Sequence, residues 1–161
     1  VGNSNYGNGG GINIDTFEGG AGRLPMQRAF TRMGCILRLV TGGGLDLTDP
    51  ASIKVTLLWR NFGVAPQYKK DWRVTLELRT IATNALVWSG VSSLNLYTNS
   101  GLKEDTGANV TIQDTFPRPA LTGNFQLSVR ILDPKNYLEP LQLGINGRQT
   151  NGSYILTNLT L

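Results

Sequence analysis

Asp15 with Glu18 and Glu104 with Asp105 are acidic pairs close together in the sequence, and a pair of carboxylates about 5–10 Å apart is all that glycoside hydrolysis requires. Both pairs sit in glycine- or lysine-bearing loop sequence, where solvated surface charge is the expected role. Histidine is absent altogether. That removes the commonest general base and the commonest metal ligand, so neither a Ser-His-Asp nor a Cys-His mechanism can be assembled within this chain, nor a His-based zinc site. The glycine clusters at 9–11, 19–22 and 42–44 match neither a phosphate-binding P-loop nor a strand–GxGxxG–helix unit, so they are read as turns. The acidic stretches "LDLTDP" and "KEDTGAN" lack EF-hand spacing. No catalytic residue, metal or cofactor is expected.

Aromatic rings are the remaining route to function. A sugar presents an apolar C–H face that packs on Trp or Tyr, while its hydroxyls take hydrogen bonds. The phase of each ring along its strand separates core from surface. Trp59 and Trp72 share the alternating stripe of Ile53, Val55, Val74 and Leu76, which assigns them to the core. Tyr68, Tyr97 and Tyr137 stand in or beside loops, flanked by Lys69 and Lys70, by Thr98 and Asn99, and by Asn136. These three are the candidate binding platform. The structural alternative is a tyrosine packed at a loop base with its hydroxyl satisfied. Trp88, just before "SGVSS", is undecided between core and surface and joins the candidates. Arg73 is the fifth: with Lys54, Arg60 and Arg79 it outnumbers Glu77 on the outward strand phase, predicting a mildly basic sheet face. A solvated face is the default for that pattern, and a docking surface for an acidic polysaccharide or a neighbouring domain is the sharper alternative.

The elements that would carry these residues are strands. In "IKVTLLW", Ile53, Val55, Leu57 and Trp59 fall on one face, with Leu58 the exception to polar residues on the other. In "WRVTLELR", Trp72, Val74, Leu76 and Leu78 face in while Arg73, Thr75, Glu77 and Arg79 face out. Such a period of two means a half-buried strand. "GCILRLV", "NALVW", "SLNLY", "NVTIQ", "FQLSVRIL", "LQLGI" and "SYILTNLTL" are further candidates, bounded by Gly, Pro, Asn or Asp turn chemistry. With almost no helix and short connections, the expected fold is an all-β, antiparallel two-sheet β-sandwich of about eight to ten strands, Ig-like or jelly-roll.

Residues 1–11, "VGNSNYGNGGG", have the composition of a flexible linker or arm, and 12–161 are expected to form the single sandwich domain. A short strand is expected at "INIDTF" and helical turns at "PMQRAFTRM", with loops at Pro117 to Pro119 and at Asp133 and Pro134. The net charge of +4 is spread along the chain without a basic stripe, and no apolar run approaches the roughly 18 residues that cross a bilayer. A soluble domain with no nucleic-acid or membrane partner is therefore expected. Cys35 is the single cysteine, so no internal disulfide forms, and Ile36, Leu37 and Leu39 around it predict a buried thiol. The chain opens on Val1, so a signal peptide or an upstream domain is expected before it. The Asn-x-Ser/Thr sites at Asn109, Asn151 and Asn158 matter only in a eukaryotic secretory protein.

Three stretches together carry a family resemblance: "VTLLWRNFGVAPQY", the preceding "FTRMGCILRLV", and the closing "LQLGINGRQTNGSYILTNLTL". They resemble the C-terminal β-sandwich accessory domain of bacterial glycoside hydrolases, in particular the uncharacterised domain family 4832. The likeness spans roughly residues 28–161, with Trp59, Asn61, Gly63, Ala65, Pro66 and Tyr68 on the most recognisable motif. Cys35 stands where that family commonly has an aromatic, and Asn151 where an acidic residue often precedes the final Gly. The resemblance implies a non-catalytic, secreted or cell-surface bacterial module. Its partners would be a polysaccharide or oligosaccharide and the upstream catalytic domain of the parent chain. Within the motif, Gly63 is expected to supply a positive φ, Pro66 to stiffen the exit and Asn61 to bond local backbone. The alternatives are a structural or protein-interaction sandwich that pairs through an exposed edge, and a small enzyme using a carboxylate pair.

Overall fold

The computed structural model describes residues 34–161. The arm over 1–11, the strand over 12–17, the turns over 25–33 and the pair Asp15 and Glu18 lie outside the described residues.

Strand β2 (Ser52–Asn61) alternates without a break, with Ile53, Val55, Leu57, Trp59 and Asn61 all buried. It pairs antiparallel with β1 (Leu37–Asp46) on one side and β5 (Val110–Pro117) on the other, so Trp59 lies opposite both Leu39 and Val110. The second sheet runs in the order β4 (Leu86–Val91), β3 (Arg73–Thr80), β6 (Asn124–Leu132), β7 (Tyr154–Thr160), again antiparallel throughout. Two antiparallel sheets of three and four strands make a β-sandwich. Among the described residues the 3 + 4 division has the strand count of an immunoglobulin-like sandwich, one fewer than a jelly roll.

The core is the sum of the inward phases. Val74, Leu76 and Leu78 from β3 and Phe125, Leu127, Val129 and Ile131 from β6 join the β2 stripe, and each fully buried side chain contributes about 1.5–3 kcal/mol. Both indoles point inward, Trp59 at 0% exposure and Trp72 at 7%.

Seven strands form among the described residues, fewer than the alternation suggested. The segments at 93–97 and 141–145 bury Leu94, Leu96 and Leu143 yet make no ladder. Each crosses between the sheets. The Ser92 amide donates to Val74 O of the four-stranded sheet, while the Ser92 hydroxyl and the Ser93 amide donate to the Asp114 carboxylate of the three-stranded one. The Leu141 amide likewise reaches Ile131 O and the Gly144 amide reaches Leu37 O. A segment whose bonds are divided between the two sheets can line the core with alternate side chains but cannot extend either ladder.

Gly42 to Gly44 are not a turn between elements. They lie inside β1, where the register slips between Val40 and Gly44, as at a β-bulge. A Cβ on Gly43 would stand 2.5 Å from Thr56 O, so the strand approaches β2 there only because side chains are missing.

Candidate functional site

The stretch that joins β2 to β3 has two halves with different roles. In the first, Asn61 is fully buried and uses its whole amide: Oδ1 accepts the Ile36 and Gly63 amides at 3.0 and 2.9 Å, and Nδ2 donates to Ala65 O and Leu102 O at 2.8 and 3.0 Å. Gly63 is required for a different reason than expected. It does not adopt a positive φ; instead a Cβ on it would lie 2.0 Å from Gly34 O. Close backbone approach, sealed by the Ala65 amide on Gly34 O at 3.1 Å, makes this half a structural corner. Arg38 and Arg60 stack on Phe62, 4.6 and 4.4 Å from its centroid, and Arg60 pairs with Asp105 at 2.7 Å.

Past Pro66 the chain turns outward. Tyr68 is 68% exposed, and Lys69, Lys70 and Asp71 follow it at the surface before Trp72 dives into the core. Lys70 Nζ lies 5.3 Å from the Tyr97 centroid. Arg73, exposed at the start of β3, folds back to donate to Lys70 O and Trp72 O at 3.1 and 3.2 Å.

Register brings a third loop to the same end. Arg73 pairs with Leu132, so the residues after β6 emerge beside the residues before β3. There Asp133 accepts the amides of Lys135, Tyr137 and Leu138 at 3.0, 3.1 and 3.2 Å. These bonds, the Lys135 amide foremost, hold its carboxyl below the usual Asp range. The folded loop presents Tyr137, 83% exposed. Between the loops lies a concavity of about 210 Å³ lined by Lys69, Lys70, Asp71, Lys135 and Tyr137, with Trp72 and Asp133 at its walls.

Four of the five sequence candidates therefore gather at one end of the sandwich: Tyr137 on the concavity, Tyr97 against Lys70, Arg73 under the Lys70 backbone, and Tyr68 next to Lys69. Trp88 does not. It pairs with Leu78, five residues further along β3 than Arg73, about 17 Å away. Its ring packs edge-on to Phe116 at 5.3 Å, on the core side. Lys135 was not singled out in the sequence, and the signal for it was the Asp-Pro turn that begins its loop.

The basic sheet face dissolves. Lys54 and Arg60 belong to β2, in the other sheet from Arg73 and Arg79, and they face Asp46 at 4.0 Å and Asp105 at 2.7 Å. Thr75 and Glu77, on the outward phase of β3, are buried, and Glu77 is held between Arg79 at 2.9 Å and Arg130 of β6. Of the pair Glu104 and Asp105, Asp105 Oδ1 takes both Arg60 and the Gly107 amide. The carboxylates of "LDLTDP" cap their own turn: Asp46 takes Thr48, and Asp49 takes Ala51 and Ser52.

A second and larger space, about 580 Å³, opens between β1 and β7, edge strands among the described residues. Leu39, Leu45, Leu57, Leu127 and Leu156 line it. Its lining carries no charged side chain, and Thr41, Thr56 and Thr157 are its polar ones. No family model and no curated protein matches the chain.

Proposed function

We propose that this chain is a non-catalytic accessory module of a secreted polysaccharide-degrading enzyme, and that it binds carbohydrate through tyrosines borne on loops. The observation that carries the reading is that Tyr137 and Lys70 line one concavity at a single end of the sandwich, with Tyr97 against Lys70. Exposed rings with polar groups between them match what a sugar offers, an apolar face edged by hydroxyls. The resemblance of "VTLLWRNFGVAPQY" and the closing "GSYILTNLTL" to hydrolase accessory domains supports the same setting, with a catalytic domain upstream and a bacterial cell surface or exterior as the location. Affinity electrophoresis and calorimetry against a polysaccharide panel test it. Binding that is lost in Tyr137→Ala and weakened in Tyr97→Ala, with the melting temperature unchanged, is the expected result. A folded chain that binds no glycan rules the reading out.

A protein-interaction sandwich is the second reading, and it draws on β4. Among the described residues that strand is an edge of its sheet, and it exposes Leu86, Val87 and Val91 at 48%, 38% and 57%. An unpaired apolar edge is a template for strand addition. Val87→Lys with Val91→Lys would abolish association with a neighbouring domain if β4 is the contact, and would leave glycan binding untouched.

A further inference from the structure

We infer that the glycan held at this loop cluster is anionic, with its charged substituent seated among Lys69, Lys70 and Lys135 and its ring against Tyr137. The inference rests on the carbohydrate-binding reading and narrows it to a ligand class.

Charge pairing over the described surface is uneven. Lys54, Arg60, Arg79, Arg130 and Arg148 each hold a carboxylate within 4.0 Å. Arg38 is stacked on Phe62. Lys69, Lys70 and Lys135 line the same concavity, and among the described residues none of them has a carboxylate within 4.0 Å; Lys103 and Arg118 hold none either but do not line it. Arg73 adds a fourth cation beside them, its Nη1 spent on backbone carbonyls.

Two aspartates share the concavity, and one is spoken for. Both Asp133 oxygens accept amides of the 135–138 backbone, and the residue is 8% exposed. Its charge stabilises the loop that carries Lys135 and Tyr137. Asp71 is the exposed carboxylate, and with the ionised Asp133 the lining sets two carboxylates against three lysines, an excess of one positive charge.

Lysine is a compact, strongly hydrated point charge, suited to a carboxylate or sulfate that keeps part of its own hydration. Lys70 is also placed: the Tyr97 ring holds its ammonium 5.3 Å from the centroid, which reduces the side-chain entropy lost on binding. A neutral sugar would engage Tyr137 but leave the excess positive charge of the lining unmatched. An acidic sugar engages both.

The test is calorimetry on the full chain with a neutral glucan, a polyuronate and a sulfated polysaccharide, each at low and at high salt. Variants Lys70→Gln, Lys135→Gln and Tyr137→Ala are compared with Lys103→Gln, a lysine elsewhere on the surface. Binding to one or both acidic polymers is expected, weakening about tenfold or more between 20 and 500 mM salt. Lys70→Gln and Lys135→Gln should each weaken it roughly fivefold, and Lys103→Gln should not. Preference for the polyuronate or for the sulfated polymer identifies the anion. Equal binding of neutral and acidic glycans, sensitive to Tyr137→Ala but not to salt or lysine replacement, overturns the inference and leaves the carbohydrate-binding reading standing. Acidic binding that all four variants leave unchanged also overturns it, as non-specific attraction to a basic chain. No binding to any polymer removes both.

Discussion

Asn61 Oδ1 accepts the Gly63 amide at 2.9 Å, and around that bond the chain leaves β2. The other three bonds of the Asn61 amide tie the same corner to Ile36, Ala65 and Leu102, segments that come from three places in the sequence. A fully buried amide with every bond satisfied fixes the path of the chain on its way to Tyr68 and Lys70.

Asn61→Ala leaves two amides and two carbonyls in the interior without partners. Each orphaned group costs about 1–3 kcal/mol, with some of it recovered by relaxation. The expected loss is about 2–4 kcal/mol in urea unfolding. Gly63→Ala should be at least as damaging, because the obstacle at 2.0 Å is backbone and cannot step aside. A loss below 1 kcal/mol for either would mean that the corner is not the anchor described.

Glu77→Gln removes the charge shared by Arg79 and Arg130 while keeping the volume. Glu77 is 1% exposed and its two guanidinium partners are mostly covered, so the variant strands two cations at a buried site. Breaking such a cluster costs about 3–5 kcal/mol when one partner is deleted, and the lower part of that range is expected for an isosteric amide. An unfolding midpoint equal to wild type would show that solvent already screens the arginines.

Burial pushes the Cys35 thiol up to about 11. At pH 8 the thiolate fraction in the folded chain is roughly a thousandth, against about a quarter for an unperturbed thiol. Alkylation in native buffer should therefore run on the order of a hundred times slower than in denaturant. Because the folded pKa is raised, this group's contribution to stability is intact below about pH 8.5 and is lost as pH climbs towards 11. Equal alkylation rates in the two states would place the thiol in solvent.

Asp133 has the opposite sign. Its folded pKa is depressed, so the stabilisation it gives the 133–138 loop is complete above the unfolded value of about 3.9 and disappears as pH falls through the folded one. Hydrogen exchange at the Tyr137 and Leu138 amides, corrected for intrinsic rates, should lose protection between pH 5 and pH 2, before global unfolding. Asp133→Asn should remove that pH dependence. Protection that is flat over the range would show that the carboxylate does not order the loop.

The alternation in Ile53–Trp59 and Trp72–Leu78 was sufficient to name two central strands, their inward faces and the burial of both indoles. Backbone geometry enforces a period of two, so that information is local and can be read from spacing. The same pattern left Thr75 and Glu77 exposed, because part of what covers Glu77, Arg130 of β6, is absent from the local sequence of β3. It also over-counted strands at Leu94, Leu96 and Leu143, where the inward rhythm persists but the hydrogen bonds are divided between two sheets.

The candidate site divides along the same line. That Tyr68, Tyr97 and Tyr137 sit in loops followed from the turn-forming residues around them, a property of each short stretch taken alone. That Tyr97 meets Lys70, that Lys135 joins Lys69 across a concavity, and that Trp88 turns away to Phe116 depended on strand order and on the pairing of Arg73 with Leu132. Side-chain periodicity is written into consecutive residues, whereas the meeting of positions dozens of residues apart is decided only when the sheets pair and the core closes.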